Sequence, residues 1–311
     1  MSINDLKAGE AVKSAYLLKR RELLKTKEGK PYLRLSFGDK TGEIEGRMWN
    51  EADKVSSAID FGCVVFVSGM VEVWKNNKQI KVDSIRIAAP AEYKREDLIR
   101  SVENVEEIFA KIKAYLDGIR DKWILVLAKE FLEDAALMER FKKSPGAQNW
   151  HNAYIGGLLE HTYEVMYVSE RVCELYPEAD KDLVIIGAFS HDIGKIFELD
   201  TETFEYTTEG ALIGHLTLGF ELLSKKMDRI EGFPKELESS LKHIILSHHG
   251  KYEQQSPVLP KTLEATIVYH CDDLVSQANA VKELIKAQSD GEKQWSNYVT
   301  IKSRKYLLKK K

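Results

Sequence analysis

Leu183-Val184-Ile185-Ile186-Gly187-Ala188-Phe189-Ser190-His191-Asp192-Ile193-Gly194-Lys195 is an apolar run that stops on a histidine and an aspartate, with a lysine three residues on. A stretch apolar all round reads as a buried helix. Neighbouring residues on a helix do not face the same way, so His191 and Asp192 reach one point only if other segments bring ligands from the opposite side. The chain supplies them. His161 follows Gly156-Gly157-Leu158-Leu159-Glu160, and His215 sits in Ile213-Gly214-His215-Leu216. His248 and His249 sit in Ser247-His248-His249-Gly250, and Asp272 and Asp273 close the set. Imidazoles and carboxylates are the donors that hold divalent transition metals. A single histidine on a helix is more often packed or solvated than ligating, but here six of the eight histidines fall in short runs with Gly, Asp or another His.

The rest of the chain bounds the reading. A length of 311 residues suggests two domains. With 43% hydrophobic and 31% charged residues the composition is that of a globular chain able to bury a core. The longest apolar runs are far too short to span a bilayer, and Met1-Ser2-Ile3-Asn4-Asp5-Leu6-Lys7 has no basic-then-apolar signal pattern. Cys63, Cys173 and Cys271 are odd in number and widely spaced, so they form neither a zinc pair nor a disulfide framework. A reducing cytoplasm, with no membrane partner, is the simplest expectation. Net charge is −3, yet residues 1–90 carry 16 basic against 12 acidic side chains and the remainder 30 against 37. The basic front, with the basic tail Ile301–Lys311, fits a polyanionic partner. Assembly into a homo-oligomer is left open.

From Tyr16 to Ile87 the pattern has period two. Leu33, Leu35 and Phe37 share one face; Tyr32, Arg34 and Ser36 share the other. Gly38-Asp39-Lys40-Thr41-Gly42 is a turn, Glu43–Trp49 alternates again, and Val64–Trp74 is a long strand with a bulge or bend at Gly69. Lys75-Asn76-Asn77-Lys78 reads as a hairpin turn. Such a run of short strands suggests a small barrel. From Glu92 to Phe141 the period changes to three and four, giving a helical linker over 91–144 that docks on the second domain, with Asp97 as a first cap. Beyond Pro145 the chain reads as helical: a helix from near Gly157, one ending at the His-Asp pair, one over Ala211–Met227 carrying His215, one over Leu237–Ser247, and one over Leu263–Gln288.

Three resemblances attach to these residues. The order of apolar strand, Phe37-Gly38-Asp39-Lys40-Thr41-Gly42, then a strand ending Met48-Trp49-Asn50 resembles OB-fold nucleic-acid-binding domains over residues 1–90. The series His161, His191-Asp192, Asp272 resembles the HD-domain metal-dependent phosphohydrolases over residues 145–290. Trp150–Thr162, Tyr206-Thr207-Thr208-Glu209-Gly210 with Gly214-His215, Ser247–Gly250, and Ser256-Pro257-Val258 before Glu264-Ala265 resemble the YhaM-type 3′→5′ exoribonucleases, which place an OB-fold ahead of an HD domain. Asn152 and Val275-Ser276 depart from that pattern, where a second histidine and an Asp-Ala pair are expected.

The expected fold is therefore α+β and multidomain: a five-stranded OB-fold barrel over 1–90, the linker over 91–144, and an all-α HD domain with a basic tail over 145–311. By resemblance His161, His191, Asp192 and Asp272 hold a first metal ion, with His215, His248 and His249 available to a second. Such imidazole-rich sites suit Mn, Co, Fe, Ni or Zn better than Mg, and Mn leads the expectation. The site would acidify a water and neutralise phosphate oxygens. Asp192 would bridge two ions, Lys195 would hold a phosphate oxygen one turn on, and His151 would meet the leaving phosphate. Tyr32, Arg34, Arg47, Trp49, Trp74, Lys75 and Lys78 are the candidate nucleic-acid contacts, since aromatics interleaved with cations stack bases and neutralise phosphates. The implied activity is stepwise 3′→5′ hydrolysis of single-stranded RNA, or of single-stranded DNA, to nucleoside 5′-monophosphates. One rival is a phosphohydrolase of small nucleotides or cyclic dinucleotides. The cyclic-di-GMP branch carries Gly-Tyr-Pro after its His-His, where this chain has Gly250-Lys251-Tyr252-Glu253. The other rival is a nucleic-acid-binding module whose metal site is structural or sensory.

Overall fold

Alternation of apolar and polar side chains builds the first part of the chain. Among the described residues, strands β1 (Ala11–Lys25), β2 (Pro31–Asp39), β3 (Gly42–Met48), β4 (Val64–Trp74) and β5 (Asn77–Ile87) close into a five-stranded barrel in the order β1-β2-β3-β5-β4. This is a computed structural model, and it describes all residues except 27, 61, 75–76, 149–153, 202, 289–293, 297–298, 300–303 and 309–311, and the side chains of 95, 96, 287 and 288. Neighbouring strands are antiparallel apart from β3 and β5, which run parallel. Leu33, Leu35 and Phe37 point inward, into a core shared with Tyr16, Leu18, Val65, Val67 and Ile80. The β4–β5 register shifts between Ser68 and Gly69, where a Cβ on Gly69 would stand 2.2 Å from the Lys81 carbonyl oxygen. The expected bend is there because only glycine lets β5 come that close.

Three local expectations change. Asn77 and Lys78 already belong to β5 rather than to the hairpin turn. A helix α1 (Ala52–Ala58) stands between β3 and β4, inside the stretch read as period two. Seven residues are too few to show a helical period, and it is held by Ala52 and Val55 packing on the barrel core. Asp97 lies within α2 (Arg95–Leu98) and takes an ion pair from Lys40 at 2.5 Å instead of capping a helix start.

Contacts divide the chain into two units, Met1–Ser101 and Val102–Lys311. The second comprises α3 (Val105–Asp117), α4 (Lys122–Leu132), α5 (Ala135–Lys143), α6 (Gly157–Cys173), α7 (Lys181–Ser190), α8 (Lys195–Glu198), α9 (Thr208–Ile213), α10 (His215–Met227), α11 (Lys235–Ser247) and α12 (Leu263–Gln288). Apolar faces of α3 to α5, including Ile112, Leu116, Leu127, Phe131 and Phe141, share one core with α6, α7, α11 and α12. Carboxylates start the helices: Asp121 accepts from the amides of Trp123 and Ile124, Asp134 from Leu137, and Asp180 from Leu183. α7 is buried along its whole length from Leu183 to Ser190. The expected helix over Ala211–Met227 is two helices, α9 and α10. Gly214 at φ +77° turns the chain between them and makes His215 the first residue of α10.

Candidate metal centre

The end of α7 fixes the centre of the site. His191 and Asp192 lie in the turn that follows Ser190, both buried. α6 contributes His161, α10 His215, the end of α11 His248 and His249, and α12 Asp272. Asp192 stands between two groups. Its Oδ2 is 3.5 Å from His161 Nε2 and 3.4 Å from His191 Nε2; its Oδ1 is 3.6 Å from His215 Nε2 and 3.5 Å from His248 Nε2. Asp272 Oδ1 lies 3.1 Å from His161 Nε2 and accepts from the Ser276 hydroxyl at 3.2 Å. Asp273 turns away and accepts from the Gln277 amide.

Backbone partners settle which ring nitrogen carries the proton. Nδ1 of His191 donates to the Ala188 carbonyl at 2.7 Å, Nδ1 of His248 to Ile245 at 2.8 Å, and Nδ1 of His249 to Gln254 at 2.7 Å. A carbonyl oxygen only accepts, so in the neutral ring each Nε2 is left as a bare lone pair aimed at Asp192 or its neighbours. Nδ1 and the backbone amide of His215 both donate to Glu198 Oε1 at 2.9 Å, with the same result. The Nε2 atoms of His215 and His249 then face each other at 3.1 Å. Burial, reinforced by His248 and His215, holds the His249 ring down to about 3. Burial likewise lowers His248. Asp192 Oδ1 and His248 Nε2 are buried without a hydrogen-bond partner among the described residues. Facing lone pairs and an orphaned carboxylate oxygen are what a divalent cation satisfies, and the donor set of imidazole nitrogen and carboxylate suits a transition metal. The residues present therefore fit a divalent metal.

Charge in the site is partly balanced already. Lys195 Nζ lies 2.6 Å from Asp192 Oδ2. Burial opposes the ammonium, but Asp192 outweighs it and raises the lysine. Burial would raise Asp192, yet Lys195 and His191 hold it well below the usual carboxylate range.

Glu198 is absent from the sequence reading, although it is buried and anchors His215. Its signal is spacing: Asp192, Lys195 and Glu198 recur every three residues, and an acid one turn past Lys195 can share its face. Glu198→Gln keeps the shape and loses the charge that orients the His215 tautomer. Metal affinity is expected to fall about 10–100-fold, as read by chelator competition with the fold checked by circular dichroism.

The barrel residues separate into three cases. Tyr32 and Trp49 stack with centroids 4.7 Å apart, and Trp49 and Trp74 are 44% and 51% exposed, so neither tryptophan is core. Arg34 and Arg47 are cross-strand partners on the outer face, with Arg47 5.7 Å from the Trp74 ring centroid and Arg34 paired with Glu45 at 2.5 Å. Lys81, next to Arg47 across β3 and β5, extends that row, and alternation with inward Ile80 and Val82 could have revealed it. Lys78 is committed to the Leu6 carbonyl at 2.7 Å. Lys75 and His151 lie outside the described residues, as does most of the basic tail.

Comparison with known proteins agrees with this architecture. Residues 158–276 match the HD domain model and residues 17–88 the OB-fold nucleic acid binding domain model. A protein of Listeria welshimeri named 3′-5′ exoribonuclease YhaM is 31% identical over 293 residues, covering 93% of this chain and 92% of its own. One of the same name from Halalkalibacterium halodurans is 29% identical over 290 residues, covering 91% and 89%. Among solved structures, a domain of replication protein A from Methanococcus maripaludis aligns with 28% of this chain and 92% of its own at 24% identity and a TM-score of 0.25. With both domains matched in order and a 31% identical relative covered almost end to end, the chain belongs to the family of the YhaM 3′→5′ exoribonucleases.

Proposed function

We propose that this protein is a metal-dependent 3′→5′ exoribonuclease that shortens single-stranded RNA to nucleoside 5′-monophosphates. The observation that carries the reading is the convergence of imidazole nitrogens from four segments on the two oxygens of Asp192. His161, His191, Asp192 and Asp272 would hold one divalent ion, and His215, His248 and His249 with Asp192 a second. A divalent metal bound there supplies charge that acidifies a water nucleophile and neutralises phosphate oxygens. Manganese suits the mixed imidazole–carboxylate set, with Co, Fe, Ni and Zn as the other fits. The remaining work falls to the chain. Asp192 orients the donors on either side of it, and the Lys195 ammonium, 2.6 Å from that carboxylate, is placed to hold a non-bridging phosphate oxygen. Ser276 and Glu198 fix the orientation of Asp272 and His215.

The barrel supplies the hold on the polymer. Tyr32, Trp49 and Trp74 offer ring faces, each worth about 1–3 kcal/mol where a base stacks on it, and Arg34, Arg47 and Lys81 offer charge to phosphates. Such a surface takes unpaired strands, single-stranded DNA included, and rejects duplexes. Of the expected linker over 91–144, α2 falls in the barrel unit, while α3 to α5 act as part of the catalytic body; the cytoplasm is the expected location. No helix among the described residues is long and apolar enough to cross a membrane.

The test is 5′-labelled RNA, with and without a 3′-terminal stem, under Mn, Co, Mg or chelator. The open strand is expected to give a ladder shortening from its 3′ end that chelator abolishes, and the stem to stall it a few nucleotides short. Cuts within a circular RNA would show an endonuclease and end the reading.

A further inference from the structure

α6 and α12 bring His161 and Asp272 together at 3.1 Å, and beyond that contact the same two helices line a cavity of about 320 Å³. Val275 follows Asp272 by one turn, Asn279 by two, and Glu164 follows His161 by one, at about 5.4 Å per turn. The cavity therefore lies one to two helical turns beyond the metal centre along both helices. Its walls are Tyr163 and Tyr167 of α6 and Val275 and Ala278 of α12, and the Asn279 amide donates to Glu164 across it. None of these side chains is used by the hydrolytic site.

The lining has the chemistry of a base. Tyr163 and Tyr167 have centroids 6.3 Å apart, and Tyr167 is 47% exposed. A cation flanks each ring: Lys111 Nζ at 5.6 Å from the Tyr163 centroid and the Arg171 guanidinium at 5.7 Å from that of Tyr167. Both cations are paired with surface carboxylates, Lys111 with Glu107 and Arg171 with Glu170 and Glu174. The exposed pairs with Glu107 and Glu174 are weak and exchange readily for a phosphate, whereas Glu170 is 17% exposed and also holds Lys181. Ring faces alternating with cations are the signature of a single-strand path. The Glu164–Asn279 pair adds an acceptor and an amide of the kind that reads base edges.

We propose that this groove seats a nucleobase of the single-stranded nucleic acid beside the phosphate engaged at the metal centre, with Tyr167 stacking on it and Glu164 and Asn279 meeting its polar edge. The proposal deepens the exoribonuclease reading and rests on it. The test is a photo-cross-link. Full-length protein with Mn is mixed with an oligoribonucleotide whose 3′-terminal base is 5-iodouracil and whose last linkage is a hydrolysis-resistant phosphonate. It is then irradiated and mapped by peptide mass. Cross-links are expected on Tyr163 or Tyr167. Ala278→Trp, which fills the cavity, and Asn279→Ala are each expected to cut the yield about tenfold with melting temperatures near wild type, whereas Tyr167→Phe keeps it. Cross-links confined to residues 1–101, or an α6 yield unchanged in folded Ala278→Trp and Asn279→Ala, overturn the proposal. Failure of the wild-type protein to shorten the same sequence with a natural last linkage overturns the exoribonuclease reading instead, because the cross-link requires no hydrolysis.

Discussion

Asp192→Asn is expected to lower RNA hydrolysis by about 10³-fold or more, the equivalent of about 4 kcal/mol of lost transition-state stabilisation. The substitution keeps the side chain's shape and removes the charge whose two oxygens each face one of the histidine groups. An amide also turns an N–H group toward nitrogen lone pairs, so it satisfies the imidazoles in place of a cation. Bound metal should fall with activity, as measured by elemental analysis after gel filtration. A second effect accompanies the first. Lys195 loses its partner at 2.6 Å while its side chain is 16% exposed, and leaving a largely buried charge without its nearest partner costs up to about 3 kcal/mol, so the metal-free variant should also melt earlier than metal-free wild type. Asp192→Asn protein with wild-type metal content and a wild-type ladder on RNA would sink the metal-centre assignment.

Gly194→Ala is the second large effect, and it acts through the backbone. A Cβ there would lie 2.0 Å from the His215 carbonyl oxygen and 2.5 Å from the Gly219 amide nitrogen. Neither is a flexible side-chain end that can swing aside, so α10 has to move, at a cost of about 1–3 kcal/mol or more. A fall in melting temperature of about 3–10 °C follows. Because His215 begins α10, the same displacement carries its ring away from Asp192 and His249, and metal content should drop even in the protein that stays folded. A Gly194→Ala variant with unchanged melting and metal content would show that the crossing of α8 and α10 tolerates a methyl group.

Residues 183–195 were informative because an apolar run that ends on His-Asp-x-Gly-Lys constrains what surrounds it. The histidine clusters were legible for the same reason: polar residues recurring within otherwise apolar segments stand out. Side chains whose role is set by a partner far along the chain were not. Glu198 sits in Ile196-Phe197-Glu198-Leu199, an ordinary helical composition, and its importance exists only through His215. Gly214 reads as a tolerable glycine inside a long helix, whereas its φ of +77° divides α9 from α10 and aims His215. Alternation placed the outward row of β2 and β3 correctly, yet alternation says nothing about whether Lys78 reaches solvent or a carbonyl. The cavity between α6 and α12 arises from two helices whose lining residues are more than a hundred positions apart, a distance over which periodicity carries no information.

The closed ladder of the barrel limits how it can recognise a polymer. Over Leu33–Gly38 of β2 and Glu45–Met48 of β3, which carry Arg34 and Arg47, both strand edges are paired, so among the described residues this surface keeps no free row of backbone donors and acceptors of the sort that lets an open sheet recruit an extended chain as an additional strand. A single strand held there as proposed would meet ring faces and cations, which discriminate poorly among A, C, G and U. A degrading machine that advances one residue at a time meets every base in turn, and a barrel grip indifferent to letter would leave any preference among bases to the groove between α6 and α12.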